Sequence, residues 1–213
     1  MALWTDPRLP VLGPNVPRAH GRFAAAVGRF MMAIRGWRVE GEIPDIPRMV
    51  LIVAPHTSNW DFLTGLYVKL ALRMGARFVG KHTLFRWPLG VFMRWLGGVP
   101  VDRSAAAGFA EETARLLRES ERMTVVLAPE GTRRHADRWK SGFYRIATAA
   151  GVPILLAALD YSRKVVSFGP LVRPTGDYER DLSEIQSRYH AGMALRPENF
   201  GTDHSRGRDL PSE

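Results

Sequence analysis

The sequence predicts an α/β protein: a single domain with a largely parallel or mixed sheet flanked by helices, and an amphipathic helix near its N-terminus. Three observations predict it. The runs Met49–Ala54 and Met123–Ala128 are apolar without alternation, the pattern of strands buried on both faces and therefore covered by helices. Segments with helical spacing lie between those runs. A chain of 213 residues with 46% hydrophobic composition makes one domain of ordinary size that can bury a core of its own.

Composition also restricts function. The 30 Lys and Arg against 21 Asp and Glu give a net charge of +9, which points to an anionic partner: phosphate, nucleic acid or a membrane surface. With no Cys, disulfides, thiol nucleophiles and thiolate metal sites are excluded. The longest charge-free run, Ile146–Leu159, is broken by Gly151 and Pro153, so no bilayer-spanning helix of about 20 apolar residues is expected. The N-terminus has no signal-peptide pattern.

In chain order, Pro7, Pro10, Pro14 and Pro17 predict an extended lead-in. Between Arg18 and Trp37, the residues Phe23, Val27, Phe30, Met31 and Ile34 repeat at helical spacing, with Arg18, Arg22 and Arg29 on one flank. Such a helix either packs on the domain with its arginines in solvent or lies in a membrane interface, and both can hold for different faces. Arg38–Glu42 reads as a short edge strand.

The run Met49–Ala54 stops at Pro55 and delivers His56 where a parallel strand hands over to a helix, with Asp61 five residues on. A neutral imidazole with a carboxylate on its second nitrogen is a general base; a histidine capping the next helix, with Asp61 in its first turn, is the other reading. Ser58 lacks a nucleophile-elbow context and reads as a structural hydroxyl. A helix over Asn59–Met74 should carry Phe62, Leu66, Leu70 and Leu72 toward the sheet and end at Gly75. Gly75–His82 nearly matches a nucleotide-binding P-loop, but a helix precedes it and Arg77–Val79 reads as a strand, which excludes that assignment.

Residues 85–98 interleave Phe85, Trp87, Phe92 and Trp95 with Arg86 and Arg94, a mixture suited to single-stranded nucleic acid or, given its leucines and Pro88, to a lipid interface. Val99–Val101 reads as a strand leading to Asp102 and Arg103, with Ser104 capping a helix to Ser120. Met123–Ala128 empties into Pro129-Glu130-Gly131-Thr132-Arg133-Arg134, where a glycine turn with two arginines can hold a phosphate. A strand near Val165–Phe168 and a helix over Tyr178–His190 complete the elements.

These motifs resemble the glycerolipid acyltransferases typified by 1-acylglycerol-3-phosphate acyltransferase, over roughly residues 35–175. His56-Thr57-Ser58-Asn59-Trp60-Asp61 matches that family's H-x-S-x-x-D block, Gly98–Arg103 its second block, Glu130-Gly131-Thr132-Arg133 its E-G-T-R block, and Val152-Pro153-Ile154 the opening of its fourth. Pro55 replaces the polar residue often found before the histidine, and Leu156 stands where the fourth block has a proline. The resemblance implies an O-acyltransferase in which His56, held by Asp61, deprotonates a lysophospholipid hydroxyl that attacks an acyl thioester directly. Arg103, Glu130, Gly131, Thr132 and Arg133, with Lys81, would contact the acceptor phosphate; amides near Gly131 would stabilise the oxyanion; Trp87, Phe92, Trp95 and Pro153 would serve the acyl or membrane side.

The implied co-substrate is acyl-CoA or acyl carrier protein, with no cofactor and no metal, and the histidines show no metal-ligand spacing. The expected partners are the lysophospholipid, the thioester and a membrane surface, and the location cytoplasmic and peripheral on that surface. The expected division is an N-terminal extension with its membrane-facing helix over 1–37, an acyltransferase domain over 38–195 and a disordered tail over 196–213. Acceptors other than 1-acylglycerol-3-phosphate, such as a lyso-ornithine lipid or a glycolipid, stay open. So does a noncatalytic lipid-binding protein, although it would have little reason to keep His56, Asp61, Glu130 and Arg103 together. A nucleic-acid-binding protein would explain charge and aromatics, but no helix-turn-helix, RRM or zinc pattern is present.

Overall fold

In the computed structural model, which describes residues 9–101 and 106–201, the apolar run at Met49 lies at the centre of a seven-stranded sheet. The strands are β1 (Arg38–Gly41), β2 (Arg48–Ala54), β3 (Ala76–Lys81), β4 (Gly98–Val101), β5 (Met123–Leu127), β6 (Ile154–Asp160) and β7 (Val165–Val172), in the order β1-β7-β6-β2-β5-β3-β4. β2 is flanked by β5 and β6, both parallel to it, and β3 and β4 extend the parallel part; β7 is antiparallel to β6, so the sheet is mixed. Parallel strands buried on both faces need helices on each side. Those helices are α1 (Arg22–Arg35), α2 (Asn59–Leu72), α3 (Leu89–Trp95), α4 (Ala106–Glu119), α5 (Gly142–Ala150) and α6 (Tyr178–Gln186).

The two-residue period of the strands resolves the apolar runs into two cores. Val50, Ile52, Ile154 and Leu156 face α4, α5 and α6 through Leu117, Phe143, Ile146 and Ile185. Met49, Leu51, Leu155, Ala157 and Leu159 face the other way, against Met32 of α1 and Val68, Ala71 and Leu72 of α2. α1 reaches α2 through a glycine contact: a Cβ at Gly28 would lie 2.5 Å from the Ala71 nitrogen and 2.7 Å from the Tyr67 carbonyl. The buried side of α1 is therefore its small side, Ala25 and Gly28 with Met32. Its large apolar stripe is left in solvent.

Several boundaries differ from expectation for local reasons. α2 ends at Arg73, in the left-handed region at φ 57°, rather than at Gly75. Gly75 instead lets the chain approach Pro17, whose carbonyl takes its N–H and whose atoms would meet a Cβ at 2.8 Å. β7 runs on past Phe168 through Pro170. β1 pairs with it only over Val165–Phe168, so Pro170 has no partner strand on that side and lies beside the irregularity between Leu155 and Ala157 of β6.

The lead-in is anchored, with Leu12 and Val16 buried in the α1–α2 core. The tail expected from Arg196 is ordered as far as Gly201: Pro197–Asn199 forms a 3-10 turn, and the Gly201 carbonyl accepts from Trp139 Nε1 at 3.1 Å. Residues 202–213 lie outside the described residues. Gly75–His82 folds as strand β3 entering a 3-10 turn, not as a strand–loop–helix. No helix among the described residues is long and apolar enough to cross a membrane.

Candidate active site

The parallel register brings the C-terminal ends of β2, β5, β3 and β4 to one edge of the sheet, the edge at which open α/β folds bind ligands. β2 leaves this edge through a cis Ala54–Pro55 bond, and α2 begins at Ser58. Ser58 Oγ accepts from Trp60 N at 3.2 Å, which makes it the N-cap and bears out its structural reading. Asp61 Oδ2 accepts from the Thr57 and Ser58 amides at 2.6 and 2.7 Å. His56 Nδ1 lies 3.6 Å from the same oxygen, within Coulombic reach although longer than a hydrogen bond. The cap of α2 is made by Ser58 rather than by His56, and the same capping turn holds the Asp61 carboxylate beside the imidazole.

Asp61 is 2% exposed. Its Oδ1 takes a hydrogen bond from the Tyr161 hydroxyl at 2.7 Å. Burial lowers the His56 pKa below its usual 6.5, Asp61 opposes that shift, and the positive charge of Arg133 adds to it. The imidazole is therefore neutral at pH 7, the state a general base needs.

Glu130 stands at 3% exposure, away from solvent. Its Oε2 accepts from the His56 amide at 2.7 Å, while Oε1 is buried without a hydrogen-bond partner among the described residues. The carboxyl ties the loop after β5 to His56 and does not line the cavity described below. Burial pushes its pKa up to about 7; the His56 amide opposes that shift, and the nearby Asp61 charge adds to it.

Gly131 turns the chain with φ 66°, and the Lys140 stem lies so close that a Cβ would meet Cδ at 2.6 Å. The Gly131 amide donates to the Ala128 carbonyl at 3.1 Å, which removes it as a free oxyanion donor. Thr132 Oγ1 accepts from Arg134 N at 3.2 Å and shapes the turn. Arg133 and Arg134 are exposed and line the cavity with His56. Lys81 ends β3, paired in register with Val101 at the same edge of the sheet. Arg103 lies outside the described residues.

A cavity of about 600 Å³ opens at His56, Gly131 and Arg133 and extends between α2 and the sheet. Leu51, Val68, Leu72, Leu159, Val166 and Phe168 give it apolar walls, with the half-buried Lys69 among them. Its ammonium donates to the Leu96 carbonyl, and burial lowers its pKa to about 8. Sequence reasoning missed this cavity because its walls come from β2, α2, β3, β5, β6 and β7, which are far apart in sequence.

One expectation for the acyl or membrane side is corrected. Pro153 precedes β6 at the opposite end of the sheet, where its carbonyl accepts from Val50 N at 3.0 Å, and it does not line the cavity. Trp87, Phe92 and Trp95 do not line it either; their rings are exposed on α3 and the turn before it.

A family model described as Acyltransferase matches residues 38–159. Among solved structures, the chain is similar to the 1-acyl-sn-glycerophosphate (LPA) acyltransferase PlsC from Thermotoga maritima, with a TM-score of 0.58 at 19% identity over 90% of this chain and 81% of that one. No curated protein matches the sequence.

Proposed function

The chain belongs to the acyltransferase family, and on that premise we propose that it moves a fatty acyl group from acyl-CoA or acyl carrier protein to the hydroxyl of 1-acylglycerol-3-phosphate, giving phosphatidic acid. The observation that carries the reading is a neutral, carboxylate-backed imidazole at the mouth of an apolar cavity rimmed by Arg133 and Arg134. With Nδ1 turned to Asp61, Nε2 is the nitrogen that takes the acceptor's proton. The freed oxygen attacks the thioester carbonyl, the C–S bond breaks as the ester forms, and the imidazolium returns its proton to the leaving thiolate. No covalent enzyme intermediate is needed.

Arg133, with Arg103 and Lys81, supplies cationic charge for the acceptor phosphate and so orients the hydroxyl. The apolar walls of the cavity suit the acyl chain, whose size falls in the range of ordinary ligand pockets of about 300–1,000 Å³. The name of the PlsC structure supports the choice of acceptor.

Docking on a membrane surface is the companion inference, since both lipids reside in one. It is supported by Phe23 and Trp87, which are 83% and 86% exposed, and by Phe30, Ile34, Val91 and Phe92 beside them in sequence. The His20 ring, just before α1, packs edge-on against Trp95 of α3 with centroids 4.8 Å apart, so these two apolar segments are neighbours.

Thiol release from acyl-CoA in the presence of lysophosphatidic acid tests the reading, wild type against His56→Ala. Release is expected to require the acceptor and to fall by about 10² to 10⁴ in the variant, with its fold unchanged by circular dichroism. Equal release by both proteins would remove His56 as the base, and no release with any acyl thioester and lysolipid would leave a noncatalytic lipid-binding role.

A further inference from the structure

The two oxygens of the Asp61 carboxylate are held in different ways. Oδ2 is held by the start of its own helix, through the Thr57 and Ser58 amides. Oδ1 is held by Tyr161, which follows β6 and lies 100 residues along the chain. The Tyr161 ring is itself fixed, edge-on against the buried Trp37 at 4.9 Å between centroids and 90° between planes. Tyr161 lies outside the family-matched segment 38–159 and outside the cavity lining.

We propose that Tyr161 is a positioning residue for acyl transfer, locking the plane of the Asp61 carboxylate so that Oδ2 faces the His56 imidazole. The inference rests on His56 and Asp61 being the base and its partner in the proposed reaction. Rotation of a carboxylate about its last bond is soft, and two amides on one oxygen do not fix the second. A hydroxyl bond to the other oxygen does, and it is a strong one because the acceptor is charged. Without it, a buried anionic oxygen would have no donor.

The same bond has an electrostatic sign. The positive end of the O–H dipole points toward Asp61 and thus toward His56, so it disfavours the imidazolium slightly and keeps the base free near neutral pH. Other ionisable groups facing this cluster are Glu130, bonded to the His56 amide, Arg133, whose charge reaches His56, and Arg35, whose charge reaches Tyr161. All three are unchanged when only the Tyr161 oxygen is removed.

The experiment compares wild type, Tyr161→Phe, Trp37→Phe, Asp61→Asn and His56→Ala as full chains, by thiol release from acyl-CoA with lysophosphatidic acid in mixed micelles across pH 5–9. Tyr161→Phe should lower kcat by about tenfold, the rate equivalent of one hydrogen bond to a charged group, with KM for the acceptor unchanged. The acid limb of kcat/KM should move to higher pH, and an NMR titration of the His56 imidazole should show the same direction without turnover. Trp37→Phe keeps the hydroxyl and loosens its wall, so it should give a smaller shift of the same sign and decides the matter if Tyr161→Phe does not fold.

Wild-type kcat and acid limb in folded Tyr161→Phe, or a KM rise with kcat intact, would overturn the inference. If His56→Ala and Asp61→Asn lose activity while Tyr161→Phe does not, this inference alone fails. If His56→Ala keeps activity, the base assignment beneath it fails.

Discussion

Glu130 shows how one buried carboxyl can belong to a site without lining its cavity. It accepts the His56 amide and lies within electrostatic reach of Asp61, so two carboxyls share a small, dry volume behind one imidazole. Such a pair avoids holding two negative charges, and Glu130, which accepts fewer hydrogen bonds than Asp61, is the member that keeps its proton longer. The folded-state pKa of Glu130, about 7, lies above its ordinary 4.5, so the folded protein binds this proton more tightly than the unfolded chain does. Its contribution to stability is full below about pH 4.5 and is lost as pH rises through 7. Glu130→Gln keeps an acceptor for the His56 amide and cannot ionise. Thermal denaturation at pH 5, 6, 7 and 8 should therefore show the variant gaining on wild type as pH rises; parallel profiles would mean that Glu130 does not titrate in that window.

Helix α2 does two tasks along its length. Its first turn caps on Ser58 and Asp61 and so sets the carboxylate beside His56; the rest, from Phe62 through Leu72, walls the cavity. Gly65 is the residue to test. It lines the cavity, and a Cβ there would meet nothing within 4 Å, so a larger side chain enters the open space without displacing its neighbours. Gly65→Leu should leave the fold intact, with a gain of up to about 1 kcal/mol from helix propensity. If the cavity holds the acyl chain, the variant's preference among acyl-CoA donors should shift to shorter chains, read by competition between a short and a long donor. An unchanged preference would place the chain elsewhere.

Taken whole, the molecule exposes large apolar side chains on α1 and on α3 with the turn before it. α1 turns its small residues to α2 and its large ones, Phe23, Phe30 and Ile34, outward. Its arginine Arg35 lies over the Trp60 ring at 4.8 Å, next to the start of α2, so the exposed stripe and the site adjoin. A lipid surface accepts both the stripe and the net charge of +9. Vesicles with anionic lipid should therefore bind the wild type, and binding should weaken as salt is raised. The triple variant Phe23→Ser, Phe30→Ser, Trp87→Ser should bind less at every salt concentration while releasing no less thiol from acyl-CoA with lysophosphatidic acid in detergent micelles. Vesicle binding equal to wild type in that variant would discard the proposed docking face.

What the sequence determined by itself was whatever is written locally. Apolar runs without alternation marked β2 and β5 as interior strands, the Ser58 and Asp61 spacing marked a helix start, and the E-G-T-R turn marked an arginine-bearing strand end, because each depends on neighbours a few residues apart. Which face of α1 is buried was not legible, since the periodicity gives an apolar stripe and the Gly28 contact with α2 decides that a different side is covered. The role of Glu130, the Tyr161 bond to Asp61 and the cavity under α2 were likewise decided by tertiary structure alone. Their partners are separated by 74 and 100 residues and meet only because parallel strands align their C-terminal ends at one edge of the sheet.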